Sequence, residues 1–208
     1  MTNPTTTNKE ISFKGDDNSY LCPSWGDMNA IAFKIAKQIQ KKKLKFDRVI
    51  TLAKGGWPLT RSLVDFLQID KIASIGVKFY QGVNNRFEKP YIYQEIPVTV
   101  KNKKILLFDD VADTGGSLEF VSKHLIEKGV NKITTATLYY KPHSTIKPDF
   151  YGGETSAWIS FPYETVEMII MLGKKWKKMG CNKREIEKRF LKLNFKKEWV
   201  DYYSNSIT

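Results

Sequence analysis

Three carboxylates, two glycines and two hydroxyls fall within nine residues of this chain, in Asp109-Asp110-Val111-Ala112-Asp113-Thr114-Gly115-Gly116-Ser117. The apolar run Ile105-Leu106-Leu107-Phe108 leads straight into them. Two adjacent acids suit vicinal hydroxyls or a divalent cation. The glycines let backbone approach a ligand closely, and Thr114 and Ser117 carry hydroxyl donors. A helix starting at this loop turns its free N–H groups toward it. Together these parts make a phosphate cradle with two carboxylates at its mouth. The competing reading is an ordinary strand-to-helix turn rich in Asp and Gly.

Two other groups of residues have chemical potential. Lys54-Gly55-Gly56 follows the apolar stretch ending at Ala53, and its backbone N–H groups and ammonium could stabilise charge on a pyrophosphate. A Gly-Gly turn is as often only a turn. Farther on come Tyr139-Tyr140-Lys141-Pro142 and Trp158-Ile159-Ser160-Phe161-Pro162. Lysine at a strand end can donate to a carbonyl oxygen, and tryptophan can stack on a flat heterocycle. A solvated lysine and a core tryptophan are the plain alternatives.

These residues need elements to position them. Residues 48–53 and the run 105–108, after a turn at 101–103, read as buried strands of a parallel sheet. Further strands are expected at 71–80, 96–100, 132–140 and 157–161. Ser24 and Asp27 mark a helix start, and Ile31, Ile35 and Ile39 give that helix one apolar face to about Lys43. Helices are also expected at 57–67, with Leu63, Val64 and Leu67 inward, and at 117–128, closed by Gly129. Residues 81–94 combine Gly, Asn, charge and Pro, and read as a lid-length loop. After Pro162 the chain turns helical and basic, with Val166, Ile169 and Ile170, then Ile186, Phe190 and Leu193, as apolar faces. Alternating strands and helices call for an α/β fold with a mostly parallel sheet flanked by helices. Its ligand belongs at the carboxyl ends of the strands, where Lys54–Gly56 and Asp109–Ser117 both fall.

The bulk properties of the 208 residues set bounds. A hydrophobic fraction of 41% excludes global disorder. No run of about eighteen apolar residues is present for a membrane span. The polar, Thr-rich start has no secretory pattern, and residues 1–19 read as a mobile tail. Cys22 and Cys181 lie far apart without metal-ligand spacing, as reduced thiols of a cytoplasmic protein do. The net charge of +12 raises a nucleic-acid hypothesis. Its lysines gather at 41–43 and 174–197, away from the motifs, in the mixed patterns of solvated helix faces. His124 and His143 read as a helix-surface and a loop residue, with no role assigned.

At Phe108–Ser117 the chain resembles the type I phosphoribosyltransferases, whose motif is an apolar strand, two acids, two spacers and a Thr-Gly-x-Ser/Thr loop for phosphoribosyl pyrophosphate. Lys54-Gly55-Gly56 is similar to that family's pyrophosphate loop, with lysine for the usual arginine. Lysine keeps the charge and loses the planar fork, so the resemblance assigns the leaving group to the loop backbone. Tyr139–Pro142 and Trp158–Pro162 resemble the 6-oxopurine enzymes of the xanthine–guanine and archaeal type. So do the Ser24-Trp25 pair, Gly76–Tyr80 and Lys147–Phe150. The resemblance covers roughly residues 24–163. It implies a twisted sheet with a flexible lid and a small base-binding hood, divided as tail (1–19), transferase domain (20–163) and basic helical extension (164–208).

The implied reaction moves the 5-phosphoribosyl group from phosphoribosyl pyrophosphate to hypoxanthine, guanine or xanthine, giving the nucleoside monophosphate. By that resemblance Asp109 and Asp110 address the ribose hydroxyls, and Asp110 helps hold Mg²⁺. Asp113 takes the proton of the purine, with helix capping as its rival role. Thr114, Gly115, Gly116 and Ser117 hold the 5′-phosphate, and Lys54, Gly55 and Gly56 the pyrophosphate. Lys78 and Arg86 reach the pyrophosphate when the lid closes, or are surface charges. Lys141 binds the 6-oxo group, Trp158 stacks on the ring, and the backbone of Ile159 meets its other edge. A homodimer or homotetramer is expected, with neither a membrane nor a nucleic acid as partner. The alternative is a regulator on the same fold that senses phosphoribosyl pyrophosphate and binds nucleic acid.

Overall fold

In the computed structural model, which describes residues 9–80 and 89–204, the apolar run before Asp109 is an inner strand of a six-stranded sheet. Along the chain come β1 (Ile11–Ser12), β2 (Ser19–Leu21), α1 (Trp25–Lys41), β3 (Arg48–Ala53) and α2 (Trp57–Leu67). Then follow β4 (Ile72–Tyr80), β5 (Lys89–Gln94), β6 (Lys104–Ala112), α3 (Gly116–Glu127) and β7 (Lys132–Tyr140). The last elements are β8 (Phe150–Glu154), β9 (Trp158–Ile159), α4 (Thr165–Lys178), α5 (Lys183–Lys192) and α6 (Lys197–Ser204).

These elements form two compact units, residues 28–156 and residues 1–27 with 157–208. The first holds the sheet in the order β5-β4-β3-β6-β7-β8, parallel throughout except for β5. Ile50, Leu52, Ile105 and Leu107 join Leu118, Val121 and Leu125 of α3 in one core. Val49, Leu106 and Phe108, pointing the opposite way, are buried too. A strand covered on both faces needs apolar residues at every position, which explains the unbroken run. The polar residues begin only where β6 leaves the core. Ile31, Ile35 and Ile39 are buried as their spacing requires.

In the second unit β2 pairs with β1 and with β9. Tyr20, Met168, Ile169, Leu172, Trp176, Ile186 and Phe190 share its core. At the start of α1, Ser24 Oγ accepts from Asp27 N–H at 3.1 Å, and the Asp27 carboxylate accepts from Ser24 N–H at 2.9 Å, the expected reciprocal cap.

Several expectations need correction. Residues 96–100 are not a strand. The strand lies earlier, at β5, where Tyr91, Ile92 and Gln94 pair with β4 across a register shift, and Pro90 is tolerated because β5 is an edge. The lid expected at 81–94 is therefore partly strand, and residues 81–88 lie outside the described residues. The strand expected at 157–161 shrinks to Trp158–Ile159, and β8 was not foreseen. Residues 9–19 do not behave as a tail. They carry β1, the start of β2 and a fully buried Asp16 carboxylate. On α4 the inward residues are Met168, Ile169, Leu172 and Trp176, whereas Val166 faces outward. The basic helices and the N-terminal residues thus belong to one unit, a division different from tail, domain and extension.

Candidate functional site

β3, β6 and β7 are neighbours and run parallel, so Lys54–Gly56, Asp109–Ser117 and Lys141–His143 emerge side by side at their carboxyl ends. A concavity of about 220 Å³ is lined by residues between Asp109 and Leu118. The N-cap of α3 is Gly115, which has no side chain to cap the helix, and the first turn of α3 starts at this loop. Gly115 sits at φ 87°, and a Cβ there would meet Ser144 Oγ at 2.7 Å and the Ile146 amide nitrogen at 2.8 Å. Thr145 braces the loop by donating both its N–H and its hydroxyl to the Thr114 carbonyl, each at 2.9 Å. The Thr114 hydroxyl accepts from Gly116 N–H at 3.3 Å. This loop is held in shape by backbone and small side chains, as a phosphate cradle must be.

The two acids behave differently from Asp113. Asp110 N–H donates to Asp109 Oδ1 at 3.0 Å. Burial, and then the neighbouring Asp110 charge, push the Asp109 carboxyl well above the usual carboxylate range. Close carboxyls that resist joint ionisation form a donor pair that a divalent cation relieves. On the other side, a Cβ on Gly55 would strike the Asp110 carboxylate, so the Lys54–Gly56 loop packs directly against the acid pair.

Within that loop the Ala53–Lys54 peptide is cis, and the Lys54 side chain is exposed. Gly56 N–H donates to the Leu52 carbonyl at 3.0 Å, and Trp57 N–H to the Lys54 carbonyl at 3.1 Å. Two of the backbone donors near the expected pyrophosphate loop are therefore committed to the turn that starts α2.

Asp113 does not cap α3. Its Oδ2 accepts from Lys141 Nζ at 2.9 Å, and its Oδ1 lies 2.9 Å from His143 Nε2. Burial raises its proton affinity, but the hydrogen bonds from Lys141 and His143 outweigh this and hold the carboxyl below its ordinary range. The Lys141 side chain is only 9% exposed, whereas those of Asp113 and His143 are 52% and 57% exposed. His143, to which the sequence assigned no role, joins this group from the turn after β7. Its signal was its place two residues after Lys141.

The remaining candidates are less tightly grouped. Lys78 is exposed on β4, its ammonium 4.9 Å from the Tyr93 ring centroid on β5. Its neighbour Phe79 lies against Gly116 instead. Arg86 lies outside the described residues. Trp158 and Ile159 belong to the other unit, on β9, where they pair with Tyr20 and Leu21. Trp158 is 41% exposed and Ile159 is buried.

Residues 24–166 match the family model described as phosphoribosyl transferase domain, a match that spans most of the chain. The chain belongs to the phosphoribosyltransferase family. A purine phosphoribosyltransferase of Pyrococcus horikoshii is 33% identical, with a TM-score of 0.63 over 69% of this chain and 93% of that one. The xanthine-guanine phosphoribosyltransferase of Idiomarina loihiensis is 22% identical over 68% of this chain and 84% of its own length. The hypoxanthine-guanine phosphoribosyltransferase of Lactococcus lactis is 26% identical over 50% of this chain and 58% of its own. The family match places the Asp109–Ser117 loop and Lys141 inside the phosphoribosyltransferase domain, and α5 and α6 outside it.

Proposed function

We propose that this phosphoribosyltransferase is a purine salvage enzyme that transfers the 5-phosphoribosyl group of phosphoribosyl pyrophosphate to a 6-oxopurine. The observation that carries the reading is the Lys141–Asp113 contact beside the braced Thr114–Ser117 loop. A carbonyl-directed cation, a proton acceptor and a phosphate cradle stand within one strand of each other. Relatives named for purine, xanthine-guanine and hypoxanthine-guanine substrates support the same class.

In this mechanism Thr114, Gly115, Gly116, Ser117 and the start of α3 bind the 5′-phosphate, while Asp109 and Asp110 bind the ribose hydroxyls. Lys54 and Gly55 receive the pyrophosphate, with Lys78 and Arg86 as additional cations. Lys141 donates to the 6-oxo group, Trp158 stacks on the ring and Ile159 lines its edge. The bond from the sugar C1 to the pyrophosphate oxygen breaks, and the electron pair leaves with pyrophosphate. A purine nitrogen takes its place on C1, and the proton that the ring gives up passes to Asp113. Positioning and charge neutralisation carry most of such a displacement.

The acid pair fits a Mg²⁺ ion held by Asp110 with Asp109 beside it. Among the described residues no cluster of three His, Cys, Asp or Glu could hold a metal, so substrate oxygens would complete its coordination. When bound, the ion would neutralise charge on the leaving group. A cytoplasmic location belongs to the same reading, and no helix among the described residues is long and apolar enough to cross a membrane. Light scattering at assay concentration measures the homodimer or homotetramer it includes.

The test is steady-state turnover with hypoxanthine, guanine and xanthine, beside adenine, uracil and orotate. Nucleotide from at least one oxopurine supports the proposal. Turnover confined to the other bases, or none at all, rejects it.

A further inference from the structure

The carboxylate of Asp113 has one donor on each oxygen, and the two donors differ in chemistry. Lys141 Nζ, on Oδ2, is nearly buried and carries a fixed charge that any carbonyl ligand would draw away. His143 Nε2, on Oδ1, sits in the more open Pro142–Ser144 turn, whose own backbone is tied to the strand end by Ser144 N–H donating to the Lys141 carbonyl at 2.9 Å. The same segment anchors the phosphate loop through Thr145. The imidazole is thus held to a segment that braces the loop, and it addresses the oxygen that Lys141 does not.

We infer that His143 is a positioning residue for Asp113, keeping its Oδ1 engaged so that Oδ2 faces the purine once Lys141 has turned to the 6-oxo group. The inference rests on the purine reading above and adds a residue to it. Paired with the ammonium, Asp113 is a weak base. When Lys141 exchanges Asp113 for a carbonyl oxygen, the carboxylate regains basicity but loses one of its two restraints. A half-exposed carboxylate with a single torsion fixed at one end would then swing. An imidazole N–H donating to Oδ1 removes that freedom. Small misplacements of a reacting group can cost about a hundredfold in rate.

The test compares His143→Leu with His143→Gln, whose amide nitrogen can stand where Nε2 stands. Both substitutions are on an exposed turn, and circular dichroism with phosphoribosyl pyrophosphate binding checks that the loop is intact. The expected result is a kcat loss of at least about tenfold in His143→Leu. KM for phosphoribosyl pyrophosphate stays within about twofold, since uniform binding is not what was removed. His143→Gln recovers most of kcat. An unchanged kcat in His143→Leu overturns the inference, and so does a His143→Gln enzyme as slow as the leucine variant. Wild-type protein without oxopurine turnover would instead reject the purine reading itself, so the two failures are separate.

Discussion

Lys141 donates to Asp113 at 2.9 Å, so the group proposed to meet the purine 6-oxo oxygen and the group proposed to take its proton are partners of each other. The contact has a physical use. It neutralises a nearly buried ammonium that would otherwise be costly to desolvate. It also keeps the proton acceptor weak, because Asp113 is held below the usual carboxylate range. Binding of a base carbonyl would break the pair and raise the basicity of Asp113 at that moment. In the proposed mechanism, activation of the base is thereby tied to the arrival of substrate.

Asp113→Asn keeps the shape and the Lys141 contact but removes the proton acceptor. We expect kcat to fall by roughly a hundredfold to ten-thousandfold, with KM for phosphoribosyl pyrophosphate little changed. Initial-rate kinetics with both substrates varied will separate the two constants. Equal losses in both would place Asp113 in sugar-phosphate binding.

Gly55→Ala puts a methyl group into the Asp110 carboxylate. The strain falls on the meeting point of the two phosphate-facing loops. Overpacking of this kind costs about 1–3 kcal/mol, and where substrate binding bears that cost the KM for phosphoribosyl pyrophosphate rises by roughly 5- to 150-fold. Binding measured by titration calorimetry checks it. An unaltered affinity would detach the Lys54–Gly56 loop from the pyrophosphate.

In the proposed mechanism the Asp109–Asp110 pair serves bound substrate at the expense of the stability of the free protein. The Asp109 carboxyl is raised by burial and then by Asp110, so the folded chain binds a proton that the unfolded chain has released. Stability contributed here therefore falls as pH rises from the ordinary carboxylate range through the folded value. Asp110→Asn lowers that cost. It should raise the melting temperature of the ligand-free protein at pH 7.5 by roughly 2–4 °C, about 1 kcal/mol for a chain of this length. The same variant should lose most of its Mg²⁺-supported turnover, and chelation of Mg²⁺ should reduce the wild type to a similar level. A variant that is less stable at pH 7.5 would contradict the repulsion.

Asp16 makes the opposite prediction. Its buried carboxylate accepts from Lys175 Nζ at 2.6 Å, the Tyr20 hydroxyl at 2.6 Å and Trp176 Nε1 at 2.7 Å. Burial opposes ionisation, yet these hydrogen bonds, led by Lys175, hold its proton affinity far below normal. Its stabilisation is fully present above the unfolded value near pH 4 and disappears as pH falls through the folded value. Asp16→Ala should cost about 3–5 kcal/mol at pH 7, and the gap from wild type should narrow below about pH 4. Urea unfolding from pH 7 to pH 3 measures both.

The parts legible in the sequence were those governed by local rules. The apolar run before Asp109 suits a doubly covered strand, which it is, and the glycines after it mark the turn into α3. Ser24 and Asp27 declared their cap because the partners are three residues apart. What escaped was long-range or ambivalent. The partnership of His143 with Asp113 joins residues thirty apart in sequence, through strand order that no local pattern encodes. Asp16 looked like tail polarity because its three partners lie on β2 and α4. β5 was hidden because Pro90 and neighbouring charge read as loop, although an edge strand tolerates both.

The most direct measurement is phosphorus NMR of one reaction mixture holding the protein, Mg²⁺, phosphoribosyl pyrophosphate and guanine, with hypoxanthine and xanthine run in parallel. The account predicts that pyrophosphate and a nucleoside 5′-monophosphate grow together, one to one, only after an oxopurine is added. A spectrum unchanged with all three bases, alongside salt-sensitive binding of duplex DNA, would contradict it and favour a regulator.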